Sequence, residues 1–198
     1  MIAWLRRSPT PKRVFFTMST ELPQRIHTRL SGANISIVCA RYNEKYTDAL
    51  LQNCLDELEQ CAPYAGVRVI RVPGAFEVPV TVKRLIRYTR ESDKPNVVIA
   101  FGVILRGSTA HADLVGTAVT NQLMNIACDT MVPVIHEVLL LNDEKQAFAR
   151  CVASALNRGR EAARAAIEML DLQAQERRAV RIAATRKGEK PQKNNHEH

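Results

Sequence analysis

The chain has 198 residues and is 46% hydrophobic, which is typical of a single globular domain. No apolar run approaches the roughly 18 residues that a membrane-spanning helix needs, so we expect no membrane association. The net charge of +8 comes from the two ends of the chain, since residues 1–29 carry +5, residues 173–198 carry +4 and the centre carries −1. Nucleic-acid binding needs a clustered basic face, so the nearly neutral centre argues against it.

The first half of the chain predicts two strands, each followed by a helix. Residues 1–29 are basic and contain three prolines, so we expect a flexible N-terminal tail. Residues 34–40 form a β-branched apolar run, which indicates a buried strand, and residues 47–60 carry leucines at helical spacing. Residues 67–72 predict a second strand, and residues 76–88 predict a helix whose proline is compatible only with its first turn.

The second half continues this alternation. Residues 96–105 are the most hydrophobic stretch of the chain, as expected for a central parallel strand that is buried on both faces. A long helix over 112–130 and another buried strand over 132–141 follow. Two helices, over 143–156 and 160–172, end the pattern, with an asparagine and a glycine at the break between them.

This order of elements predicts the fold class. Strands that alternate with helices form a parallel sheet covered on both sides. We therefore predict an α/β domain over residues 30–172, a three-layer αβα sandwich whose four-stranded parallel sheet has the flavodoxin-like order and helices on both faces. Residues 173–198 are expected to form a flexible basic C-terminal tail. Ligands bind such sheets outside the carboxyl ends of the strands, so we look for functional residues there.

The cysteine content indicates the compartment. The chain has five cysteines, an odd number, and no pair has the C-x-x-C spacing. This argues against a disulfide framework and against a structural zinc site, and it favours the reducing cytoplasm. We interpret all five as small buried apolar side chains, namely Cys39, Cys54, Cys61, Cys128 and Cys151.

The segment after the third strand is the strongest candidate for chemistry. Gly107, Ser108 and Thr109 form a turn of small residues at the start of a helix, where free backbone amides and hydroxyls suit a phosphate monoester. A P-loop is excluded, because Ser108 stands where that motif requires lysine. His111 follows in the first helical turn and can shuttle protons. A simple helix cap and a merely exposed histidine are the alternatives.

Two residues at the other strand ends also have both a structural and a functional interpretation. Glu77 is either a favourable carboxylate in a first helical turn or an acceptor for substrate hydroxyls. Tyr42 is either a core residue or a platform on which a planar ring stacks. The sequence alone leaves both pairs of alternatives open.

Taken together, these segments resemble the lumazine synthase family of riboflavin biosynthesis. The resemblance runs in order through roughly residues 32–172. It rests on residues 72–79 (VPGAFEVP), 102–111 (GVILRGSTAH), 132–135 (VPVI), 146–150 (QAFAR), 157–159 (NRG) and 166–169 (AIEM).

The resemblance implies a cofactor-free and metal-free transferase. The family condenses 5-amino-6-(D-ribitylamino)uracil with 3,4-dihydroxy-2-butanone 4-phosphate to 6,7-dimethyl-8-ribityllumazine, phosphate and water. It further implies a cytoplasmic homo-oligomer, a pentamer that in some members assembles into shells, and a functional link to riboflavin synthase.

The resemblance also implies residue roles. His111 is the proton shuttle, and Arg150 from a neighbouring subunit joins the phosphate site. The implied phosphate-binding residues are Gly107, Ser108, Thr109 and Arg150. The implied substrate-binding residues are Tyr42, Ala75, Phe76, Glu77, Val103, Ile104, His136 and Arg158.

Three positions depart from the family pattern. His136 stands where phenylalanine is frequent, at the floor of the pyrimidine pocket, and adds a titratable group. Ala112 replaces a frequent phenylalanine, and Arg158 replaces a frequent lysine. The alternative to an active synthase is therefore a non-catalytic relative that binds lumazine or flavin, or forms shells.

Overall fold

The computed structural model describes residues 24–26 and 32–186. Its strands and helices alternate in the order expected from the sequence. They are β1 (Asn34–Ala40), α1 (Glu44–Cys61), β2 (Gly66–Val72), α2 (Val78–Tyr88), β3 (Val97–Leu105), α3 (His111–Thr130), β4 (Val134–Leu141), α4 (Glu144–Ala147) and α5 (Arg158–Arg186). A 3₁₀ turn, Ala75–Glu77, precedes α2, and a π-helical turn, Phe148–Val152, follows α4.

The four strands form one parallel sheet in the order β2-β1-β3-β4. This is the flavodoxin-like order, so the predicted fold class is confirmed. β1 and β3 lie side by side in the centre, and the chain leads from β1 to β2 on one side and from β3 to β4 on the other. The crevice outside the carboxyl ends of β1 and β3 is therefore the topological switch point at which such sheets bind ligands.

The core consists of two apolar layers, one on each face of the sheet. Along β1, Ile37 packs with α1 and α5, whereas the next residue, Val38, packs with α2 and α3. The same alternation occurs in β3 between Ile99 and Ala100. Because side chains of a strand point to opposite faces in turn, apolar residues at every position require helices on both sides.

The helix predicted over residues 143–156 is wrong over its last four residues, because helical backbone ends at Val152. α4 ends at Ala147, and the chain after the π-helical turn is extended at Ala153. The buried side chain of Asn157 explains the break, because its Nδ2 donates to the carbonyl oxygens of Cys151 at 2.9 Å and Ala153 at 3.1 Å. Its Oδ1 accepts from the Arg160 amide at 3.2 Å, so the same residue caps the start of α5.

The C-terminal boundary also differs from the expectation. α5 continues to Arg186, so the flexible tail expected from Gln173 is helical over residues 173–186; residues 187–198 lie outside the described part. Residues 173–186 contain neither glycine nor proline and are rich in alanine and arginine, which favour helix. Within residues 24–26 and 32–186, no helix is both long and apolar enough to cross a membrane.

The expected N-terminal tail falls almost wholly outside the described residues. Its described part includes Arg25, whose Nε and Nη2 donate to the two carboxylate oxygens of Glu57 at 2.8 Å each. Glu57 is only 3% exposed, and it also accepts from Arg164 Nε at 2.8 Å. Arg25 thus belongs to an ion-pair cluster on the domain.

Four of the five cysteines are buried, as predicted, whereas Cys128 on α3 is exposed. The expectation for Cys128 is therefore wrong. All five are free thiols.

Candidate active site

A cleft of about 400 Å³ lies outside the carboxyl ends of β1 and β3. Nine of the residues predicted for the site line it, whereas Ser108 lies in the same loop but not on the wall. The nine are Tyr42, Ala75, Phe76, Glu77, Val103, Ile104, Gly107, Thr109 and His111. The structure therefore brings together residues from four segments that are up to 69 positions apart in the sequence.

Tyr42 projects from the turn after β1 and is 70% exposed, so it is not a core residue. Its amide donates to the carbonyl oxygen of Pro73 at 3.0 Å, which fixes the turn against the segment after β2. A Cβ atom added to Gly74 would lie 2.9 Å from Tyr42 Cδ2. Gly74 thus provides the space in which the ring lies over the backbone, and the ring can serve as a stacking platform.

Asn43 also lines the cleft, although the sequence analysis did not select it. It has a left-handed backbone conformation, with φ 59°, directly before α1. Its Nδ2 donates to the Val103 carbonyl oxygen at 2.7 Å, so this oxygen is already bonded within the chain. An asparagine after a strand, at a position that tolerates positive φ, is the sequence signal that could have identified it.

Glu77 caps the turn before α2, as its structural interpretation predicts, and it also lines the cleft. Its Oε2 accepts from the Gly74 amide at 2.8 Å, which is the capping interaction at the start of a helix. No hydrogen bond from the described residues engages Oε1, and the residue lines the cleft beside the exposed Phe76. One carboxylate oxygen therefore holds the turn, while the other is available as an acceptor.

The start of α3 supplies hydrogen-bond donors at the other side of the cleft. Ala110 is its N-cap and provides no side-chain cap. The first bond of the helix runs from the Leu114 amide to the Ala110 carbonyl at 3.1 Å, which leaves the three preceding amides available. Together with the helix dipole, these amides favour the binding of an anion in front of the start of α3, beside His111.

Three predicted residues lie outside this cleft. His136 lies in β4, Arg150 lies in the π-helical turn, and Arg158 is the first residue of α5. β4 is an edge strand of the sheet, next to β3.

His136 is held in one neutral tautomer. Its Nδ1 accepts from the Val138 amide at 3.0 Å, and Nε2 lies 2.8 Å from Thr120 Oγ1. Since that hydroxyl donates to the Gly116 carbonyl, Nε2 must carry the proton and donate it. Burial also lowers the pKa of His136. The ring therefore offers an uncharged flat surface rather than a base.

Glu137 is a buried carboxyl to which the sequence analysis assigned no role. It is 8% exposed and lies opposite Phe101 in the sheet. Burial raises the pKa of Glu137 to about 8, against the opposing effect of the charges on Arg158 and Arg150. A glutamate within a strand otherwise predicted to be buried is the signal that could have singled it out.

Comparison with known proteins identifies the family. Residues 32–174 match the family described as 6,7-dimethyl-8-ribityllumazine synthase. The chain is 40% identical over 141 residues to the 6,7-dimethyl-8-ribityllumazine synthase of Thermococcus gammatolerans, covering 71% of this chain and 88% of the relative. It is 38% identical over 151 residues to that of Nitrobacter hamburgensis, covering 75% and 90%. The chain belongs to the 6,7-dimethyl-8-ribityllumazine synthase family.

A third relative, the lumazine synthase of Salinibacter ruber, is 40% identical over 144 residues, covering 72% of this chain and 90% of the relative. The resemblance stated from the motifs is thus confirmed. The family match begins at Gly32 and ends at Ala174, within the described part of α5. The last twelve residues of that helix therefore extend beyond the lumazine synthase match.

Proposed function

We propose that the chain is a 6,7-dimethyl-8-ribityllumazine synthase. Its substrates are 5-amino-6-(D-ribitylamino)uracil and 3,4-dihydroxy-2-butanone 4-phosphate. One observation carries the proposal: a single cleft combines an aromatic platform, a carboxylate oxygen and the amide-rich start of a helix that bears a histidine. These groups correspond to a planar ring, a polyol and a phosphate, the three parts that the two substrates present.

Each wall of the cleft has a proposed partner. Tyr42 stacks on the pyrimidine, beside the backbone of Val103 and Ile104. Ala75, Phe76 and Glu77 surround the ribityl chain, and Glu77 accepts from its hydroxyls through the oxygen that the cap leaves available. Gly107, Ser108 and Thr109 hold the phosphate together with the amides at the start of α3.

The reaction requires proton transfers but no redox step. The 5-amino group adds to the ketone carbonyl, and loss of water gives a Schiff base. Elimination releases the phosphate and leaves an enol at the carbon that carried the 3-hydroxyl, and this enol tautomerises to a second carbonyl and a methyl group. Attack of the ribitylamino nitrogen on that carbonyl closes the ring with loss of water. His111, at the mouth of the phosphate site, takes up and returns the protons. Holding two substrates in one cleft provides much of the acceleration.

We further propose that the site is completed by a neighbouring subunit in a homopentamer. His136, Arg150 and Arg158 lie outside the cleft of their own chain, on an edge strand and on the segments after it. In this arrangement Arg150 adds its planar guanidinium to the phosphate, and His136 provides a neutral face for the pyrimidine. The five free cysteines support a reducing cytoplasmic location. Riboflavin synthase would be the functional partner that consumes the product.

The decisive experiment follows lumazine formation by absorbance and fluorescence with both substrates. We expect product from the wild-type protein and a rate lowered by up to about a hundredfold in His111→Ala, at the low end for a general acid–base group because proximity acts independently. Asn121→Ala, at an exposed position of the same helix, is the matched control and should be unaffected. A wild-type protein that binds the pyrimidine but forms no product would establish the alternative, a non-catalytic lumazine- or flavin-binding relative.

A further inference from the structure

The side chain of Arg106 links the two turns that follow β3 and β4. Its Nε and Nη2 both donate to Asp113 Oδ1, at 3.1 and 2.6 Å, in the first turn of α3. Its Nη1 donates to Asn142 Oδ1, directly after β4. Its backbone amide donates to the Leu141 carbonyl at 2.9 Å. One residue thus fastens the start of the loop to the helix that follows it and to the neighbouring turn.

The loop between Arg106 and α3 has no comparable support of its own. Residues 107–110 are exposed, and no side-chain hydrogen bond in the described part of the chain involves Gly107, Ser108, Thr109 or Ala110. A Cβ atom on Gly107 would meet nothing within 4 Å, so close packing does not hold the loop either. Its conformation therefore depends on how its two ends are fixed, and Arg106 contacts both ends.

Arg106 also compensates a charge that opposes anion binding. Asp113 lies in the first turn of α3, where its carboxylate interacts favourably with the helix dipole. The same carboxylate repels a phosphate that binds to the amides at this helix start. The two hydrogen bonds from Arg106 hold the pKa of Asp113 below its ordinary value, so the carboxylate is ionised and needs its partner.

We propose that Arg106 is a positioning residue of the phosphate site: it fixes the loop 107–110 through Asp113 and Asn142, and it neutralises the Asp113 carboxylate beside the bound phosphate. The inference rests on the proposed phosphate site but not on the identity of the pyrimidine substrate. Arg106 itself remains committed to Asp113 and Asn142 and does not touch the reacting atoms.

Inorganic phosphate binding to the assembled protein, measured by calorimetry, tests the proposal without turnover. We expect Arg106→Gln to weaken phosphate binding by about tenfold, which corresponds to about 1.4 kcal/mol. Arg106→Lys, which keeps the charge but offers a different geometry, should lose less. Lys94→Gln, which removes the same charge from the pair with Glu91 at the opposite end of β3, is the matched control and should bind phosphate as the wild type does.

The two roles of Arg106 are separated by a second substitution. Because Asp113→Asn removes the carboxylate that R106Q leaves unpaired, the double variant R106Q/D113N should bind phosphate more tightly than R106Q alone. In steady-state kinetics, the KM for the phosphorylated butanone should be highest in R106Q and lower in the double variant. The KM for the pyrimidine should change by less than about twofold in both. Asn142→Ala should raise only the former KM, by a smaller factor.

The proposal is overturned if R106Q binds phosphate as tightly as the wild type, or if R106Q and the double variant are equally impaired. It is also overturned if R106Q raises the KM of both substrates equally, since that result indicates a general structural role. A wild-type protein that binds phosphate but forms no lumazine would refute the proposed function, while the phosphate measurements would still decide the role of Arg106.

Discussion

Replacing Glu137 by glutamine tests whether the fold holds a protonated carboxyl group on β4, the edge strand next to β3. Glu137 is 8% exposed, and no hydrogen bond from the described residues reaches its carboxylate. Burial raises its pKa from an ordinary value of 4.5 to about 8, even though the positive charges of Arg158 and Arg150 act in the opposite direction. Glutamine has nearly the same shape and cannot ionise, so it retains the packing and removes the titration.

The sign and size of the effect follow from proton linkage. Between pH 4.5 and about pH 8 the folded chain keeps the Glu137 proton and the unfolded chain has lost it. The free energy of unfolding therefore falls as pH rises through this window, by about 1.4 kcal/mol per pH unit. The whole window corresponds to an upper limit of about 5 kcal/mol, which is comparable to the lower end of the free energy of unfolding of a typical domain.

Urea unfolding monitored by circular dichroism at pH 5, 6, 7 and 8 measures this dependence, at one protein concentration because assembly contributes to stability. Near pH 5, E137Q and the wild type should be similar in stability, and by pH 8 the variant should be more stable by several kcal/mol. Glu168→Gln, at an exposed position of α5, is the control and should follow the wild type. If the curves of E137Q and the wild type stay parallel across this range, the carboxyl is not held protonated and the reasoning is refuted.

Two further substitutions test the packing and the buried ion pair. Gly159→Ala should destabilise the fold by about 3 kcal/mol, because the new methyl group would overlap the Leu50 carbonyl group of α1. Thermal unfolding should show this loss of stability. Gly107→Ala is the control and should leave stability unchanged, since its methyl group meets no atom within 4 Å. Glu57→Gln should cost about 3 kcal/mol at pH 7, since hydrogen bonds from Arg25, and from Arg164, lower the pKa of Glu57 to about 2. Stability from a lowered carboxyl pKa is present above pH 4.5 and is lost as pH falls towards 2, so unfolding curves of the wild type and E57Q should converge in acid; a constant difference down to pH 2 would contradict this.

The sequence predicted the elements well where a local pattern has one structural solution. The apolar run 34–40 matches β1 at both ends, and the run 96–105 contains β3. The site could be predicted for a related reason: Tyr42, Glu77 and His111 each follow a strand, and the carboxyl ends of parallel strands meet at one edge of a sheet.

The sequence was less informative where a side chain bonds to a distant part of the chain. The break after α4 depends on the Asn157 side chain, which reaches back to the carbonyl oxygens of Cys151 and Ala153. Asn43 joins the site by bonding to Val103, 60 positions away. Neither contact leaves a periodic trace in the sequence.

The amino-acid sequence by itself determined the order of strands and helices, the parallel sheet and the end of the sheet at which the site lies. These features depend on hydrophobic periodicity and on the alternation of elements, which are local properties of the chain. Only the tertiary structure decided that Arg106 spans two turns, that Glu137 is buried near two arginines, and that His136, Arg150 and Arg158 lie outside the cleft. Those features depend on which surfaces the packed layers bring together. A charge is buried or paired only through contacts that form in the folded chain, so the sequence pattern does not reveal the free energy of these contacts.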